Sequence, residues 1–308
     1  MTIRELSLEL KNLAINECNE DENHSIDDTK YIVAWLQQQQ HINARMEEQW
    51  LIGFLRGCKH SLERTKEKLD AYYTIRTHLP ELFLSRDPEE SKIQQILKLG
   101  TYLPLPLTAK PDGPRVVLVR GAIHDPKKFT FQDVLKIFFM IMDILVLEDD
   151  QLNIAGQDTI LDLTGSRLQL ASQFTPPVVK KAVVCFQDAY PIKTKSLHFI
   201  NPPATFDAIF GIFKRFMNAK LRERIMVHSN IDEVFKYIPK RVFPSDYGGD
   251  APSIKKLTEE WTRKVIDRRD WFIKDSQYYV TESKRPGKQI NEMQLFGCDG
   301  SFKQLEFD

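Results

Sequence analysis

Four short aliphatic runs, RVVLVRG (115–121), QDTILDL (157–163), SLHFIN (196–201) and RIMVH (224–228), are separated by segments with helical spacing. A helix between successive strands returns the chain to the start of the sheet. Such alternation therefore dictates a mainly parallel or mixed sheet covered by helices, an α/β fold. The spacing predicts helices over 130–147, 176–188 and 204–218, one from 231, and one over about 254–275. Thr130 with Asp133 three positions on marks a capped start for the first. Pro176 suits the first position of the second.

Residues 1 to about 100 read as helical and contain no convincing strand. Asp27 or Asp28 can cap a helix through Ile32, Trp35 and Leu36. Trp50, Leu51, Phe54 and Leu55 form a second amphipathic pattern over 46–57. A third helix starts at Ser61, and Pro80 marks its end. A stretch rich in proline and glycine, YLPLPLTAKPDGP (102–114), breaks the composition. The expected organisation is a helical module over 1–100, a linker over 101–114, an α/β domain over 115–280 and a tail over 281–308. The tail is either mobile or docked through Phe296, Phe302 and Phe307.

The net charge is zero, which argues against bulk nucleic-acid binding. Cys18, Cys58, Cys185 and Cys298 stand far apart and read as free thiols in a reducing cytosol, neither a disulfide frame nor a zinc site. No export signal is visible at the N-terminus. The most apolar window, Ile137–Leu147, is too short to cross a bilayer and contains Asp143, so a buried helix is expected and no transmembrane segment. Phosphate-loop, dinucleotide, nucleophile-elbow and zinc-protease motifs are all missing. His198 and His228 fall in strands and read as hydrogen-bonded structural residues. Glu148, Asp149 and Asp150 lack calcium-loop spacing and read as a solvated turn. Asp162, near a strand end, fits a functional acid or a structural hydrogen-bond acceptor equally well. Catalytic residues, metal and cofactor are all expected to be none.

What remains is surplus apolar surface. The 130–147 helix carries two stripes, Val134, Ile137, Phe138 and Ile141 beside Leu135, Phe139, Met142 and Val146. One stripe covers a sheet, so the second meets another apolar layer or a ligand. Val178, Ala182, Val183, Cys185 and Phe186 of the 176–188 helix could help enclose a cavity. Over 190–224, Phe206, Ile209, Phe210, Phe213 and Met217 share one helical face, widened by Ile212 and Phe216. Seven cations (Lys193, Lys195, Lys214, Arg215, Lys220, Arg222, Arg224) stand against Asp207 and Glu223 there. Spacing alone fits both a core-facing helix with solvated charges and a greasy helix that touches an anionic membrane.

The segments FLRGCKHSLERTKEKLDAYYTIRTHLPELF (54–83), ILDLTG (160–165), YPIKTKSLHFIN (190–201) and FPSDYGGDAPS (243–253) occur in an order and spacing that resemble the CRAL-TRIO lipid-binding family. The resemblance runs from about 30 to 275 and is greatest to the tocopherol- and retinaldehyde-binding branch, in an insect-type form. It implies a sheet floor, a closed apolar cavity and a helical lid over 201–224. The implied pocket is Leu135, Phe138, Met142, Thr159, Leu161, Phe174, Val178, Ala182, Cys185, Phe186, Ile192 and Leu197. The implied lid positions are Phe206, Ile209, Phe210, Ile212, Phe213 and Met217, and the implied phosphoinositide patch is Lys193, Lys195, Lys220, Arg222 and Arg224.

Two departures stand out. Phe138 and Met142 replace small hydroxyl residues of the tocopherol branch, and Cys58 replaces a patch arginine. Lys59 is adjacent, but a helix neighbour points about 100° away. The implied function is that of a cytoplasmic, monomeric carrier. It would bind one tocopherol-, retinoid- or carotenoid-like ligand and exchange it during transient contact with phosphoinositide-containing membranes. A phosphoinositide-sensing membrane adaptor without net transfer is the alternative, and an enzyme using Asp162, His198 or His228 is a second.

Overall fold

The computed structural model describes residues 3–297 apart from Ala122 and Arg167. Its N-terminal part is helical: α1 (Leu8–Cys18), α2 (Glu22–Gln38), α3 (Glu48–Gly57), α4 (Leu62–Thr77), α5 (Pro80–Phe83) and α6 (Ser91–Leu97). Between α2 and α3 lies a short strand, β1 (Ile42–Asn43). The sheet follows with β2 (Tyr102–Pro104) and β3 (Arg115–Val119). Then come α7 (Phe131–Glu148), α8 (Asp150–Ala155), β4 (Gln157–Asp162), α9 (Pro176–Val184), β5 (Thr194–Ile200), α10 (Phe206–Phe216), α11 (Ala219–Arg222) and β6 (Ile225–His228). The chain closes with α12 (Ile231–Val234), α13 (Ile254–Asp267), α14 (Arg269–Asp275), β7 (Tyr279–Val280) and α15 (Glu292–Phe296).

The main sheet has the order β2-β3-β4-β5-β6, with β2 antiparallel to β3 and the rest parallel. Register aligns Val117 with Thr159 and Leu197, and Val119 with Leu161 and Phe199. Because side chains alternate across a strand, those residues share one face. The opposite face carries Val116, Leu118, Ile160 and Ile200. They pack with Val234, Ile238, Val242, Phe243 and Leu257, so both faces are covered.

Helix α7 explains its two apolar stripes. The expected capping box is present: Thr130 Oγ1 accepts from the Asp133 amide and Asp133 from the Thr130 amide. From Val134 to Leu147 every residue except Lys136 is buried. One side of α7 meets the sheet region; the other shares a core with Trp50, Phe54, Tyr72 and Phe83 of α3–α5. The second stripe is thus mostly a central-helix contact, with a cavity on part of its length.

Asp143, the lone acid in the apolar window, sits in a buried ionic cluster. Its carboxylate accepts from the Tyr72 and Tyr190 hydroxyls at 3.0 and 2.8 Å, and from Arg86 and Arg76 at 2.6 and 3.3 Å. Arg76 and Arg86 also reach Asp275, which accepts from Arg45 at 3.1 Å. Burial opposes charge on Asp275, but the three guanidiniums hold its pKa below the usual carboxylate range. The cluster joins α4, α7 and α14.

Several expectations need correction. Asp27 and Asp28 lie inside α2, which begins at Glu22, so neither caps it. Pro80 opens α5, and α4 has already stopped at Thr77. The first hundred residues contain β1, antiparallel to β7, and the linker contains β2. Pro104 is tolerated there because β2 is an edge strand. Beyond Val184, α9 continues as a π-helical turn, Cys185–Ala189, and the 254–275 helix breaks at Arg268. The acids 148–150 are ion-paired, not a solvated turn: Glu148 with Lys264 and Arg268, Asp149 with Arg115, Asp150 with Arg4 and Arg56. Cys18, Cys58 and Cys185 are free and buried. The tail docks through Phe296, which is buried beside α9; Phe302, Phe307 and Cys298 lie outside the described residues.

Candidate ligand cavity and its lid

A cavity of about 270 Å³ lies between the sheet, the first half of α7, α9 and α10. Alternation along the strands supplies the floor: Val119 from β3, Gln157, Thr159 and Leu161 from β4, and Leu197 and Phe199 from β5. Helix α7 contributes Phe131, Leu135 and Phe138; α9 contributes Ala182 and Val183, followed by Phe186. Among the described residues no lysine, arginine or histidine lines it.

Of the twelve sequence-derived pocket positions, Leu135, Phe138, Thr159, Leu161, Phe174, Ala182, Phe186 and Leu197 line this space. Four do not. Met142 lies one turn past Phe138, whose ring packs on Tyr102 at 5.0 Å, and is absorbed into the core with Cys185. Ile192 packs against that same core. On α9, Val179 and Val183 occupy the inward face, which leaves Val178 half-buried about 100° away. Val183, named from the sequence among the residues that could enclose a cavity, does line it, whereas Phe199 was missed although it sits at the inward phase of β5.

Five of the six lid positions, Phe206, Ile209, Phe210, Phe213 and Met217, also line the cavity. Ile212 packs in the same aromatic cluster without reaching the space. Phe206 stacks on Phe210 at 4.9 Å, and both rings contact Phe199 of β5 at 5.3 and 5.1 Å. Phe213 meets Phe174 at 5.8 Å. The outer surface of α10 presents Asp207, Ala208, Gly211, Lys214 and Arg215. The Lys214 ammonium lies 4.6 Å from the centre of the Phe210 ring.

Polar residues tether both ends of this helix. Before it, Asn201 adopts a left-handed backbone with φ of 54°. Its amide donates to Asp162 at 3.0 Å and to Thr164 at 2.8 Å. Asp162 also accepts from the Thr164 amide at 2.9 Å and from the Tyr247 hydroxyl at 2.5 Å. Burial works against its charge, but these bonds keep its pKa below the usual value. The acid singled out in the sequence is therefore a fully engaged anchor. After the helix, Gln187 donates to the Phe216 carbonyl at 3.2 Å and accepts from the Asn218 amide at 2.8 Å. Nothing in the sequence marked Gln187.

His198 and His228 pair at 2.9 Å, and His198 also bonds the Ser196 hydroxyl at 3.0 Å. Burial, then the neighbouring His228, lowers the His198 pKa to about 4. Leu197 and Phe199 face the cavity, so His198 points to the other face of β5.

The five patch cations are not equivalent. Lys193 is half-buried, and its ammonium lies 3.0 Å from the Cys18 sulfur and 3.4 Å from the Ile154 carbonyl. Arg224 donates to the Thr194 carbonyl. Lys195, Lys220 and Arg222 are exposed, with Lys195 at 3.8 Å from Glu17. Cys58 caps the end of α3, and Lys59 has a left-handed φ of 57°, so the expected helical phase between them does not apply. Burial raises the Cys58 pKa, although Lys68, Arg64 and Lys193 oppose it.

A mainly parallel sheet, with helices over one face bordering a largely apolar cavity, is the architecture of this site. Residues 107–249 match the CRAL/TRIO domain, and residues 20–93 match the Pinta-like UBA domain. The chain is 28% identical over 236 residues to alpha-tocopherol transfer protein-like from Homo sapiens, covering 76% of this chain and 67% of that one. It is 26% identical over 251 residues to clavesin-2 from Homo sapiens, covering 80% and 74%. A crystal structure of Sfh5 overlays at 13% identity and a TM-score of 0.46, over 86% of this chain and 100% of that one.

Proposed function

We propose that this chain is a monomeric cytoplasmic carrier that shields one hydrophobic ligand and exchanges it at membranes bearing phosphoinositides. The supporting observation is that the lid's aromatic face closes an apolar cavity while its outer face and flanks carry exposed cations. Burying apolar ligand surface is worth roughly 25 cal/mol per Å² before ordering terms are subtracted. Release therefore requires another apolar phase. In the closed state Phe206, Phe210 and Phe213 point inward, so the lid must swing about its tethers to present them to a bilayer. Lys195, Lys220 and Arg222 would hold the protein at anionic head groups, each contributing about 1 kcal/mol near the surface. The relatives named for tocopherol transfer favour this reading.

The test is vesicle transfer. The protein is loaded with the lipid that solvent extraction and native mass spectrometry identify in it, and the transfer rate to anionic acceptor vesicles is measured. Lys220→Ala with Arg222→Ala should slow transfer several-fold without weakening ligand binding. A protein that takes up no hydrophobic ligand from any donor vesicle sinks the carrier reading. The exposed cations also support the adaptor reading. Stable residence on phosphoinositide vesicles with the ligand retained would favour it. The carrier reading assigns no catalysis, consistent with the commitment of Asp162 to Thr164, Asn201 and Tyr247; turnover of a bound lipid, lost in Asp162→Asn, would overturn that.

A further inference from the structure

We infer that the cavity takes a neutral lipid ending in a hydroxyl or carbonyl oxygen, and that Gln157 and Thr159 of β4 hold that oxygen. This rests on the carrier reading and adds which end group is selected and where it sits. The first two cavity-facing positions of β4 are polar, where an apolar wall would place aliphatic residues; the third is Leu161. The Tyr102 hydroxyl donates to Gln157 Oε1 at 3.4 Å, and Gln157 Nε2 donates to Thr159 Oγ1 at 2.7 Å. All three residues are buried and line the cavity. With Thr159 Oγ1 accepting, its own hydroxyl hydrogen remains available, as does the second amide hydrogen of Gln157. Buried donors of this kind are disfavoured unless an acceptor meets them. A ligand oxygen would supply it. Thr194, in register with Gln157, brings another hydroxyl to the same end of the floor.

The rest of the wall narrows the choice. Asp162 is fully engaged, and the Ser166 hydroxyl donates to the Leu163 carbonyl. With no cationic side chain among the described lining residues, a buried phosphate or carboxylate would lack a counter-charge and be strongly disfavoured.

The experiment compares farnesol, the hydrocarbon farnesene and farnesyl phosphate as competitors of tritiated farnesol on the full-length protein. Farnesol should bind about tenfold more tightly than farnesene, the scale of one or two buried hydrogen bonds, and farnesyl phosphate should be the weakest. Thr159→Val, a near-isosteric change, should abolish the advantage of farnesol over farnesene. Gln157→Leu should reduce the advantage in parallel. Equal wild-type affinities for alcohol and hydrocarbon, or tightest binding of the phosphate, would overturn the inference and leave the carrier reading standing. If none of the three binds, this inference falls, and the carrier reading stands or falls on the vesicle uptake test.

Discussion

Replacing Asp143 by leucine should be the most damaging single change in this fold that touches no ligand. Five groups depend on its carboxylate and that of Asp275: three guanidiniums, Arg45, Arg76 and Arg86, and the hydroxyls of Tyr72 and Tyr190. Asp143 and Asp275 are 0 and 3% exposed. The wild-type cluster sets two carboxylates against three cations; the variant leaves one. Breaking a buried ion pair from one side typically destabilises by about 3–5 kcal/mol, because the remaining charge is stranded. We expect a loss of that size in the unfolding free energy from urea titration. Asp143→Asn keeps an acceptor for the tyrosines and should lose less. A loss below about 1 kcal/mol for the leucine variant would refute the view that paired charge holds this junction.

The buried His198–His228 pair predicts acid sensitivity. His198 falls from an ordinary 6.5 to about 4, so the unfolded chain binds the extra proton first. Stability should then decline as pH falls from about 6.5 toward 4, by up to about 3 kcal/mol, and His198→Phe should flatten the slope of urea midpoint against pH. Gly156 has φ of 87°, and a Cβ there would lie 2.4 Å from the Lys193 carbonyl. Gly156→Ala should destabilise by about 2–4 kcal/mol in thermal unfolding, and a neutral effect would contradict the geometry. Gln187→Ala cuts the tether after α10. Amides of 206–216 should then exchange hydrogen several-fold faster while those of α7 are unchanged; equal protection would show that the tether does not restrain the lid.

Features built from local chemistry were legible. The capping box of Thr130 and Asp133, Pro176 at the first position of α9, and the order of strands and helices all follow from neighbours in sequence. The greasy face of α10 was legible for the same reason, since Phe206, Phe210 and Phe213 repeat at helical spacing. Eight of twelve pocket positions line the cavity; the misses come from phase and depth. Periodicity could not show that the cavity ends at Phe138, because Tyr102 closes it from a strand read as linker. Long-range partners were also invisible. Asp143 reads as an anomaly until Arg86 and Tyr72 meet it from another part of the chain. Lys193 reads as a surface cation until α1 places Cys18 beside it.

On the proposed carrier reading, the contrast between α7 and α10 would let one domain be both rigid and able to open. Nearly every residue of α7 from Val134 to Leu147 is buried, and Asp143 ties it to α4 and α14. Moving it would expose a continuous core and strand buried charge. In α10 only Phe210 is buried, although the helix is strongly two-faced. Its inner face packs on Phe199 and Phe174 but also borders the cavity, and along that border the helix forgoes the dispersion contacts that a filled interior supplies. On that reading a bound lipid would restore those contacts and favour closure, while a bilayer would offer the same aromatic rings an equivalent apolar surface. The polar tethers at Asn201 and Gln187 sit at the two ends of the helix and leave its middle free of cross-links. Opening of α10 would then be a local event at a fraction of the global unfolding free energy, with the sheet, α7 and the ionic cluster unchanged.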